Sequence, residues 1–409
     1  MRNNLRLSLQ QSPFATFLPA LALGGCLPAA PDYGYSQQAS TTAPQTSVVV
    51  PASPAGGTVE GTVAAGVRWR GRVDLTTDPA NPYFGWTASG FDAKFTGTSI
   101  GVKLNTTDPN AKCQADPCGL FFQAVVDGKP LERMKATPGV AVMEIASGLT
   151  DGPHTLEFYR ETESPLGKSQ FLGITGGTLL PPPTYSGRLV EFVADSITNG
   201  FGELGMEDYS DPKNVITCPF TLDTQAGYLT YAAKVARALN ADASIVALSG
   251  WGLYRGLSLD GGDGLNFVVP NEYEDSLFYL DPQPKWDFRV KANAVVINLG
   301  TNDVAMGDPG PKFTEALQNL VDKIRSKNPD AWIFPVTGTM LNGQGLDWVR
   351  GYFKDFVDSK GGDAARMTFV DMGSQDLTLG SGCITHPSEK EHQRMVEVLY
   401  PVMKEKLGW

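Results

Sequence analysis

The sequence predicts a two-domain α/β protein in which a jelly-roll-like antiparallel β-sandwich precedes a three-layer α/β/α domain with a parallel sheet. The first observation is length, because 409 residues exceed the usual size of one compact core. The second is that residues 58–180 contain short alternating apolar runs, such as TSIGVKL and HTLEFYR, between Gly, Asp-Gly and Pro turns. The third is that apolar runs alternate with helical segments over residues 188–409, which is typical of a parallel sheet covered on both faces.

Residues 1–26 have the pattern of an export signal. A basic start, MRNNLR, is followed by the moderately apolar PFATFLPALAL and by small residues before Cys26. The tetrapeptide Leu23–Cys26 resembles the lipobox of bacterial lipoproteins, whose cysteine is lipidated after cleavage, and the alternative is an ordinary signal peptide with an incidental cysteine. We therefore expect an exported bacterial protein with a lipid anchor at Cys26, held at the outer membrane or cell surface.

Two linkers separate the predicted parts. Residues 27–57 are rich in Ala, Pro, Ser, Thr and Gln and carry almost no charge, which favours a flexible tether. Residues 181–187 begin with three prolines, which cannot continue the interior of a sheet or helix. The sandwich is therefore expected over residues 58–180 and the α/β domain over residues 188–409.

The α/β domain is expected to contain five strands and four helices. The predicted strands are RLVEFVA, ASIVALS, AVVINLG, AWIFPVTG and MTFVDMG. The predicted helices span residues 225–239, 312–326, 346–359 and 388–407. Ser388 and Glu391 form a Ser-x-x-Glu pattern that predicts a capping box at the start of the last helix.

The charge balance argues against a nucleic acid partner. The chain has 33 Lys and Arg against 44 Asp and Glu, which gives a net charge of -11, and it contains no basic cluster to pair with phosphates.

The cysteines are candidates for disulfides, because an exported protein meets an oxidising compartment. Four of the five cysteines lie beyond the predicted signal. Cys113 and Cys118 are close enough in sequence to staple a loop, which leaves Cys218 and Cys383 as the other possible pair.

Four positions near the ends of predicted elements carry groups that suit acyl transfer. Ser196 follows the first predicted parallel strand, at the edge where open α/β sheets bind ligands. Gly250 lets a backbone N–H approach a substrate closely, and the amide of Asn302 can donate to a developing oxyanion. His386 is placed by Pro387 and the capped last helix, so it is a candidate base.

These stretches, in this order, resemble the SGNH (GDSL-type) hydrolases, whose four marker residues fall on Ser196, Gly250, Asn302 and His386. A sandwich that ends in YRETESPLGKSQFLGIT, a proline-rich link, and the runs RLVEFVADSITNGFG and VVINLGTND resemble carbohydrate esterase family two in particular. That family comprises bacterial enzymes that remove acetyl groups from plant polysaccharides such as xylan and glucomannan. The resemblance extends from about Val67 to the end of the chain.

The resemblance implies a role for each marker residue. Ser196 would attack the ester carbonyl, and His386 would act as general base and then protonate the leaving sugar hydroxyl. The oxyanion would meet the N–H groups of Ser196 and Gly250 and the side chain of Asn302. Asp195 is expected to hold the nucleophile loop. No metal or cofactor is needed for this chemistry.

Two positions depart from the common SGNH pattern. Ala194 stands where the motif has glycine before Asp195, and one methyl group at a strand end affects packing rather than chemistry. Cys383 stands three residues before His386, where most members have an aspartate that orients the histidine. The family that the chain resembles is known for a serine–histidine pair in which a carbonyl takes the place of this acid.

Other residues are weaker candidates for the same chemistry. Ser249 is a rival nucleophile because ALSGWG loosely matches the Gly-x-Ser-x-Gly elbow, although Ala247 and Trp251 replace its two glycines. His154 is expected in a turn or at the surface, and His392 is expected in helix packing. Three scattered histidines cannot form a usual zinc site, and the segment Asp260–Asn266 could hold calcium but is more often a plain loop.

The expected substrate is an acetylated polysaccharide or oligosaccharide. Trp251, Tyr254 and Trp286 lie near predicted strand ends and could stack on sugar rings, or they could be ordinary core or rim aromatics. One alternative function is a surface lipoprotein that binds glycans without turning them over, although a pure binder has no use for a base opposite a serine. Another is an esterase that acts on peptidoglycan or lipid esters.

Overall fold

The computed structural model describes residues 63–64, 66–107, 119–207, 216–257, 262–278 and 283–409. The predicted signal peptide, the tether, Cys26, Cys113 and Cys118 lie outside these ranges, as does the beginning of the candidate calcium loop. Among the described residues, no helix combines the length and the apolar character needed to cross a membrane.

Two antiparallel sheets form the amino-terminal part. Their strands are β1 (Val63–Ala64), β2 (Val67–Arg70), β3 (Val73–Asp74), β4 (Tyr83–Phe84), β5 (Gly90–Thr96), β6 (Ser99–Thr107), β7 (Leu120–Val126), β8 (Lys129–Pro130), β9 (Met134–Ala136), β10 (Gly139–Ser147), β11 (Pro153–Arg160), β12 (Lys168–Thr175) and β13 (Thr178–Leu180). One sheet runs β1-β2-β5-β11-β7-β8, with β13 paired to β5 and β9 to β7, and the other runs β10-β6-β12-β4-β3. Alternate residues of these strands fill a shared apolar core rich in phenylalanine.

A parallel sheet forms the carboxyl-terminal part. Its strands are β14 (Leu189–Ala194), β15 (Asp242–Ala247), β16 (Ala294–Asn298) and β17 (Trp332–Pro335), in the order β15-β14-β16-β17. The helices are α1 (Ser196–Asn199), α2 (Tyr231–Ala238), α3 (Pro311–Lys327), α4 (Gly343–Lys360) and α5 (Glu389–Leu407). One face of the sheet packs with α3 and α4, and the other packs with α2 and α5. The predicted fold class is therefore confirmed.

The predicted fifth strand over residues 367–373 is wrong. Only two isolated bridges join this segment to the sheet, Met367 to Ile333 and Val370 to Val336. Beyond them, the Thr337 hydroxyl holds the same segment, because it accepts the N–H of Met372 at 2.8 Å and donates to the Asp371 carboxylate at 3.0 Å.

Two helices differ from the predictions, one in where it starts and the other in how its start is capped. The helix expected from residue 225 begins at Tyr231, where the side chain of Thr230 caps it. The last helix begins as predicted after Ser388, whose side chain accepts the N–H of Glu391 at 3.3 Å. The capping box is only half formed, because the Glu391 carboxylate instead accepts hydrogen bonds from Arg394.

A buried arginine of the sandwich joins it to the parallel sheet. Arg72 is fully buried, and its guanidinium lies 2.7 Å from the Glu191 carboxylate on the central strand β14. It also donates to the carbonyl of Asp275 at 3.1 Å and stacks over the Tyr273 ring at 5.1 Å. This charge pair thus fixes the sandwich against the sheet that carries the site.

We expect Arg72→Ala to destabilise the protein by about 3–5 kcal/mol, because the Glu191 carboxylate would remain buried without its partner. Urea unfolding followed by fluorescence measures the effect. Lys312→Ala is the matched control, since it removes a cation from the exposed pair with Glu315 and should leave the free energy of unfolding nearly unchanged. Equal losses in the two variants would contradict this account.

Candidate active site

The candidate nucleophile begins a short helix at the end of the central strand. Ser196 is the first residue of α1, directly after β14 and Asp195. The Asp195 side chain accepts the N–H of Ile197 at 3.0 Å and so caps this helix. Burial raises the pKa of Asp195 to about 7.

Ser196 and His386 contact each other. The Nε2 atom of His386 lies 2.9 Å from the Ser196 Oγ, a distance that suits proton transfer between them. Only 6% of the Ser196 surface and 7% of the His386 surface is exposed, so the pair is almost free of competing water yet reachable. The structure therefore brings together the two residues that the sequence nominates as nucleophile and base.

Two backbone carbonyls orient the histidine. The Nδ1 atom of His386 lies 2.9 Å from the Ile384 carbonyl and 3.2 Å from the Cys383 carbonyl, so an Nδ1–H can donate to them and leave Nε2 to accept from Ser196. Burial lowers the pKa of His386 to about 4, while the two carbonyls and the charge of Glu207 act in the opposite direction. The imidazole is therefore neutral at neutral pH and able to accept a proton.

The loop that supplies these carbonyls has an unusual conformation. Ile384 and Thr385 have φ angles of 53° and 56°, in the left-handed region that β-branched residues rarely adopt. The Glu207 carboxylate accepts both of their N–H groups, at 3.0 Å and 2.8 Å. A disulfide between Cys218 and Cys383 ties the same loop to the segment after the nucleophile.

Gly250 and Asn302 follow the two strands that flank β14. Ala194 at the end of β14 pairs in register with Ala247 on one side and with Asn298 on the other, so both loops reach the edge that carries Ser196. Gly250 has a φ of 82°, and a Cβ there would meet nothing within 4 Å, which leaves open space beside its backbone. Asn302 donates one amide hydrogen to the Trp251 carbonyl at 2.8 Å, and a second remains for a ligand.

A carboxylate from the sandwich holds the loop before Gly250. Glu163 lies at the end of the sandwich segment after β11 and is fully buried, and burial raises its pKa. It accepts hydrogen bonds from the N–H of Ser249 at 2.9 Å, from the Ser249 hydroxyl at 2.8 Å and from the Asn199 amide at 3.0 Å. The sandwich therefore shapes the edge of the sheet where the candidate site lies.

The other end of this loop is also held by an acid. The buried Asp303 carboxylate accepts the N–H groups of Leu253, Tyr254 and Arg255 at 2.9, 2.7 and 3.0 Å. Sequence reasoning missed Glu163 and Glu207. Acidic residues outside helical patterns were the available signal, but nothing local indicates which distant loop each one meets.

The three candidate sugar-stacking aromatics differ in exposure. Trp251 and Tyr254 are partly exposed beside the Asn302 loop, and Trp251 packs edge-on against Phe267 with ring centroids 5.7 Å apart. Trp286 is only 9% exposed and packs between the Arg289 guanidinium and the core near Phe288. Stacking on a sugar is therefore the wrong role for Trp286, because core contacts already cover its ring.

The remaining candidates lie outside the Ser196–His386 pair. The Ser249 hydroxyl donates to the Glu163 carboxylate rather than to a histidine. His392 packs inside the protein, where its Nδ1 accepts the N–H of Tyr231 at 3.2 Å and burial lowers its pKa to about 3. His154 in the sandwich contacts Asp127 at 2.7 Å.

Comparison with known proteins identifies both parts of the chain. The family described as carbohydrate esterase 2 N-terminal matches residues 69–183, and the GDSL-like lipase/acylhydrolase family matches residues 195–394. The chain is 35% identical to a family two carbohydrate esterase from Clostridium thermocellum whose structure is a complex with cellohexaose, and the TM-score is 0.74. That match covers 84% of this chain and 99% of the other. The chain belongs to carbohydrate esterase family two.

Two further relatives are similar to this chain over most of its length. It is 35% identical over 350 residues to the cellulase/esterase CelE of Acetivibrio thermocellus. The matched region covers 84% of this chain but only 40% of CelE. The chain thus spans less than half the length of that relative. It is 27% identical over 359 residues to the acetylxylan esterase / glucomannan deacetylase of Cellvibrio japonicus, with 83% of this chain and 90% of that protein covered.

The contacts of Glu163 predict that the sandwich matters for turnover. We expect Glu163→Gln to lower kcat roughly 10- to 100-fold with a smaller change in KM, because the expected role of the Gly250 N–H is to bind the oxyanion of the transition state. Hydrolysis of a chromogenic acetate measures both constants.

Glu161→Gln is the matched control for that variant. Glu161 is also fully buried in the same sandwich segment, but it accepts the N–H of Tyr228 rather than a bond from the Gly250 loop. Losses of kcat that are equal in the two variants would show that burial of an acid, rather than the bond to Ser249, is what matters.

Proposed function

We propose that the protein is a serine esterase that removes acetyl groups from plant polysaccharides. The observation that carries the proposal is the 2.9 Å contact between the Ser196 Oγ and the His386 Nε2 at the carboxyl edge of the parallel sheet. Gly250 and Asn302 follow the strands on either side of this pair.

In the first half of the proposed reaction, the Ser196 Oγ bonds to the acetyl carbonyl carbon while the His386 Nε2 takes its proton. The carbonyl oxygen becomes an oxyanion, which accepts hydrogen bonds from the N–H groups of Ser196 and Gly250 and from the Asn302 amide. The protonated Nε2 then gives its proton to the sugar oxygen as the ester bond breaks. The products of this half are a free sugar hydroxyl and an acetyl group on Ser196.

In the second half, His386 takes a proton from water as the water oxygen attacks the acetyl carbon. The proton returns to the Ser196 oxygen when acetate leaves. In both halves the imidazole passes through its charged form, and the Cys383 and Ile384 carbonyls accept the Nδ1–H throughout. These carbonyls therefore serve the function of an orienting acid.

The relatives support a plant polysaccharide as substrate. One is named for acetylxylan and glucomannan, and the solved family member was studied with cellohexaose. In the present chain, the partly exposed rings of Trp251 and Tyr254 next to Asn302 offer apolar faces that suit sugar rings. We therefore favour acetylated xylan or glucomannan.

Substitution of the proposed machinery tests the mechanism. Ser196→Ala and His386→Ala should each lower kcat roughly 10⁴-fold or more, because nucleophile and base act as one unit. Asn302→Ala should lower kcat roughly 100- to 1000-fold as a lost oxyanion donor. Rates of acetate release at neutral pH check all three variants.

The same assay has two contradicting outcomes. Full activity in Ser196→Ala together with loss of activity in Ser249→Ala would show that the nucleophile is Ser249 and not Ser196. Inactivation by EDTA that zinc reverses would overturn the mechanism, since the nucleophile, base and oxyanion donors proposed here all come from the chain itself.

Acetate release from acetylated xylan, acetylated glucomannan and peptidoglycan, measured side by side, tests the substrate. Release from the plant polymers supports the proposal, and release from peptidoglycan alone contradicts it. Tight binding of the glycans without acetate release would indicate a binding protein instead of an enzyme.

We also propose that a lipid on Cys26 anchors the protein, because Leu23–Cys26 has the lipobox pattern. Detergent should be needed to extract the native protein, and Cys26→Ser should release it. Since Leu27 rather than an aspartate follows the cysteine, we expect the outer membrane in a Gram-negative host. Recovery of the wild-type protein wholly in the soluble fraction would contradict the anchor.

A further inference from the structure

Glu207 is a buried acid that contacts the histidine loop but not the histidine. Its Oε2 accepts the N–H of Thr385 at 2.8 Å, and its Oε1 accepts the N–H of Ile384 at 3.0 Å and that of Cys218 at 3.1 Å. Three N–H donors match a carboxylate, which is purely an acceptor when ionised. The acid is 5% exposed, so solvent screens these contacts little.

Two peptide groups whose N–H groups donate hydrogen bonds to Glu207 also accept a hydrogen bond from His386 through their carbonyl oxygens. The N–H of Thr385 and the carbonyl of Ile384 belong to one peptide group, and this carbonyl lies 2.9 Å from the His386 Nδ1. The N–H of Ile384 and the carbonyl of Cys383 belong to the preceding group, whose carbonyl lies 3.2 Å from the same Nδ1. Two peptide groups thus stand in parallel between the carboxylate and the imidazole.

We propose that Glu207 is the positioning residue that replaces the missing catalytic acid, acting on His386 through these two peptide groups. Its catalytic consequence rests on the proposed esterase function, whereas its effect on the histidine does not. The usual acid would stand at Cys383, whose sulfur is bonded to Cys218 instead. Here the negative charge is that of Glu207, which lies in a different loop and is separated from the imidazole by one peptide group.

Two physical effects follow from this arrangement. A carboxylate at the N–H end of a peptide group polarises it and makes its carbonyl a stronger acceptor, which favours the charged imidazole that forms during turnover. The same bonds hold Ile384 and Thr385 in their left-handed conformation, and so aim both carbonyls at Nδ1. Orientation and charge stabilisation, the two tasks of a triad acid, are both provided.

The surroundings of His386 leave Glu207 as the principal negative charge acting on it. On the other side, α5 carries His392, which is neutral because burial lowers its pKa. The Phe201 ring packs on the imidazole with centroids 4.6 Å apart and is itself stacked on Phe220. Among these groups, only Glu207 raises the pKa of His386 by charge, against the larger lowering by burial.

Titration of His386 by NMR in wild-type and Glu207→Gln protein tests the proposal. The chain has only three histidines, so their resonances can be assigned by substitution and followed from pH 8 to pH 3. We expect the variant to lower the pKa of His386 by roughly one unit, because an opposite charge near a group shifts its pKa by about 1–3 units. A merely structural role predicts the opposite sign, since a collapsed loop would admit water and raise the pKa toward about 6.5.

A second measurement at pH 7 needs no acid titration. The His386 Nδ1 proton should resonate at lower field in the wild type than in Glu207→Gln, because the glutamine amide cannot polarise both peptide groups. Unchanged Nδ1 shift and unchanged or raised pKa would overturn the proposal. Glu207→Asp keeps the charge and should restore a pKa nearer to that of the wild type.

Glu203→Gln is the control for altering a nearby buried carboxyl without removing a charge, because burial raises the pKa of Glu203 well above its usual value. Glu203 is another buried acid, and in the sequence it lies between Ser196 and Glu207. Its carboxyl group faces His392 at 3.7 Å and not the loop that precedes His386. We expect no shift in the pKa of His386 there. With an acetyl ester, Glu207→Gln should lower kcat at least tenfold while KM changes little. A wild type inactive on every acetyl ester would refute the esterase proposal, and the titration would still decide the role of Glu207.

Discussion

Hydrogen bonds from loop N–H groups to buried carboxylates are the interaction on which the candidate site depends. The loops at the carboxyl edge of the sheet lack a ladder of their own, so their buried N–H groups need other acceptors. Asp303 and Glu207 each accept three such bonds, and Glu163 accepts one together with bonds from the Ser249 hydroxyl and the Asn199 amide. Burial raises the pKa of Glu163 and Asp303, and so works against their charged forms. Because burial disfavours the charged carboxylates, the geometry of the site depends on each hydrogen bond that these carboxylates accept.

The sandwich is part of the site because one of these acids belongs to it. Besides the bonds of Glu163, the Thr87 hydroxyl donates to the Asn199 amide oxygen at 2.7 Å, which fixes the end of the nucleophile helix from the same side. Arg72 holds the underlying strand through Glu191. The domain that could be taken for a separate binding module therefore supports the end of the nucleophile helix and the loop before Gly250.

The sequence predicts features that local signals specify. Apolar runs that end in polar or small residues indicate the parallel strands and place Ser196 correctly at the end of β14. Local signals fail where a distant contact decides the outcome. The hydrogen bonds that Glu163 accepts from Ser249 and that Glu207 accepts from Ile384 join residues 86 and 177 positions apart in the sequence. No short sequence pattern encodes such distant partners. Trp286 fails for the same reason, because its neighbours in the core come from elsewhere in the chain.

Replacing a direct acid by carbonyls also explains how a deeply buried histidine can remain a usable base. A carboxylate in contact with Nδ1 would itself have to be buried, and its desolvation would add to that of the imidazole. The Ile384 and Cys383 carbonyls are neutral, so they accept the Nδ1–H at a smaller cost of desolvation, while Glu207 satisfies its own charge with backbone donors. The consequence is an imidazole with a low pKa that is neutral down to acidic pH. In the proposed mechanism it becomes charged only when a proton arrives from Ser196.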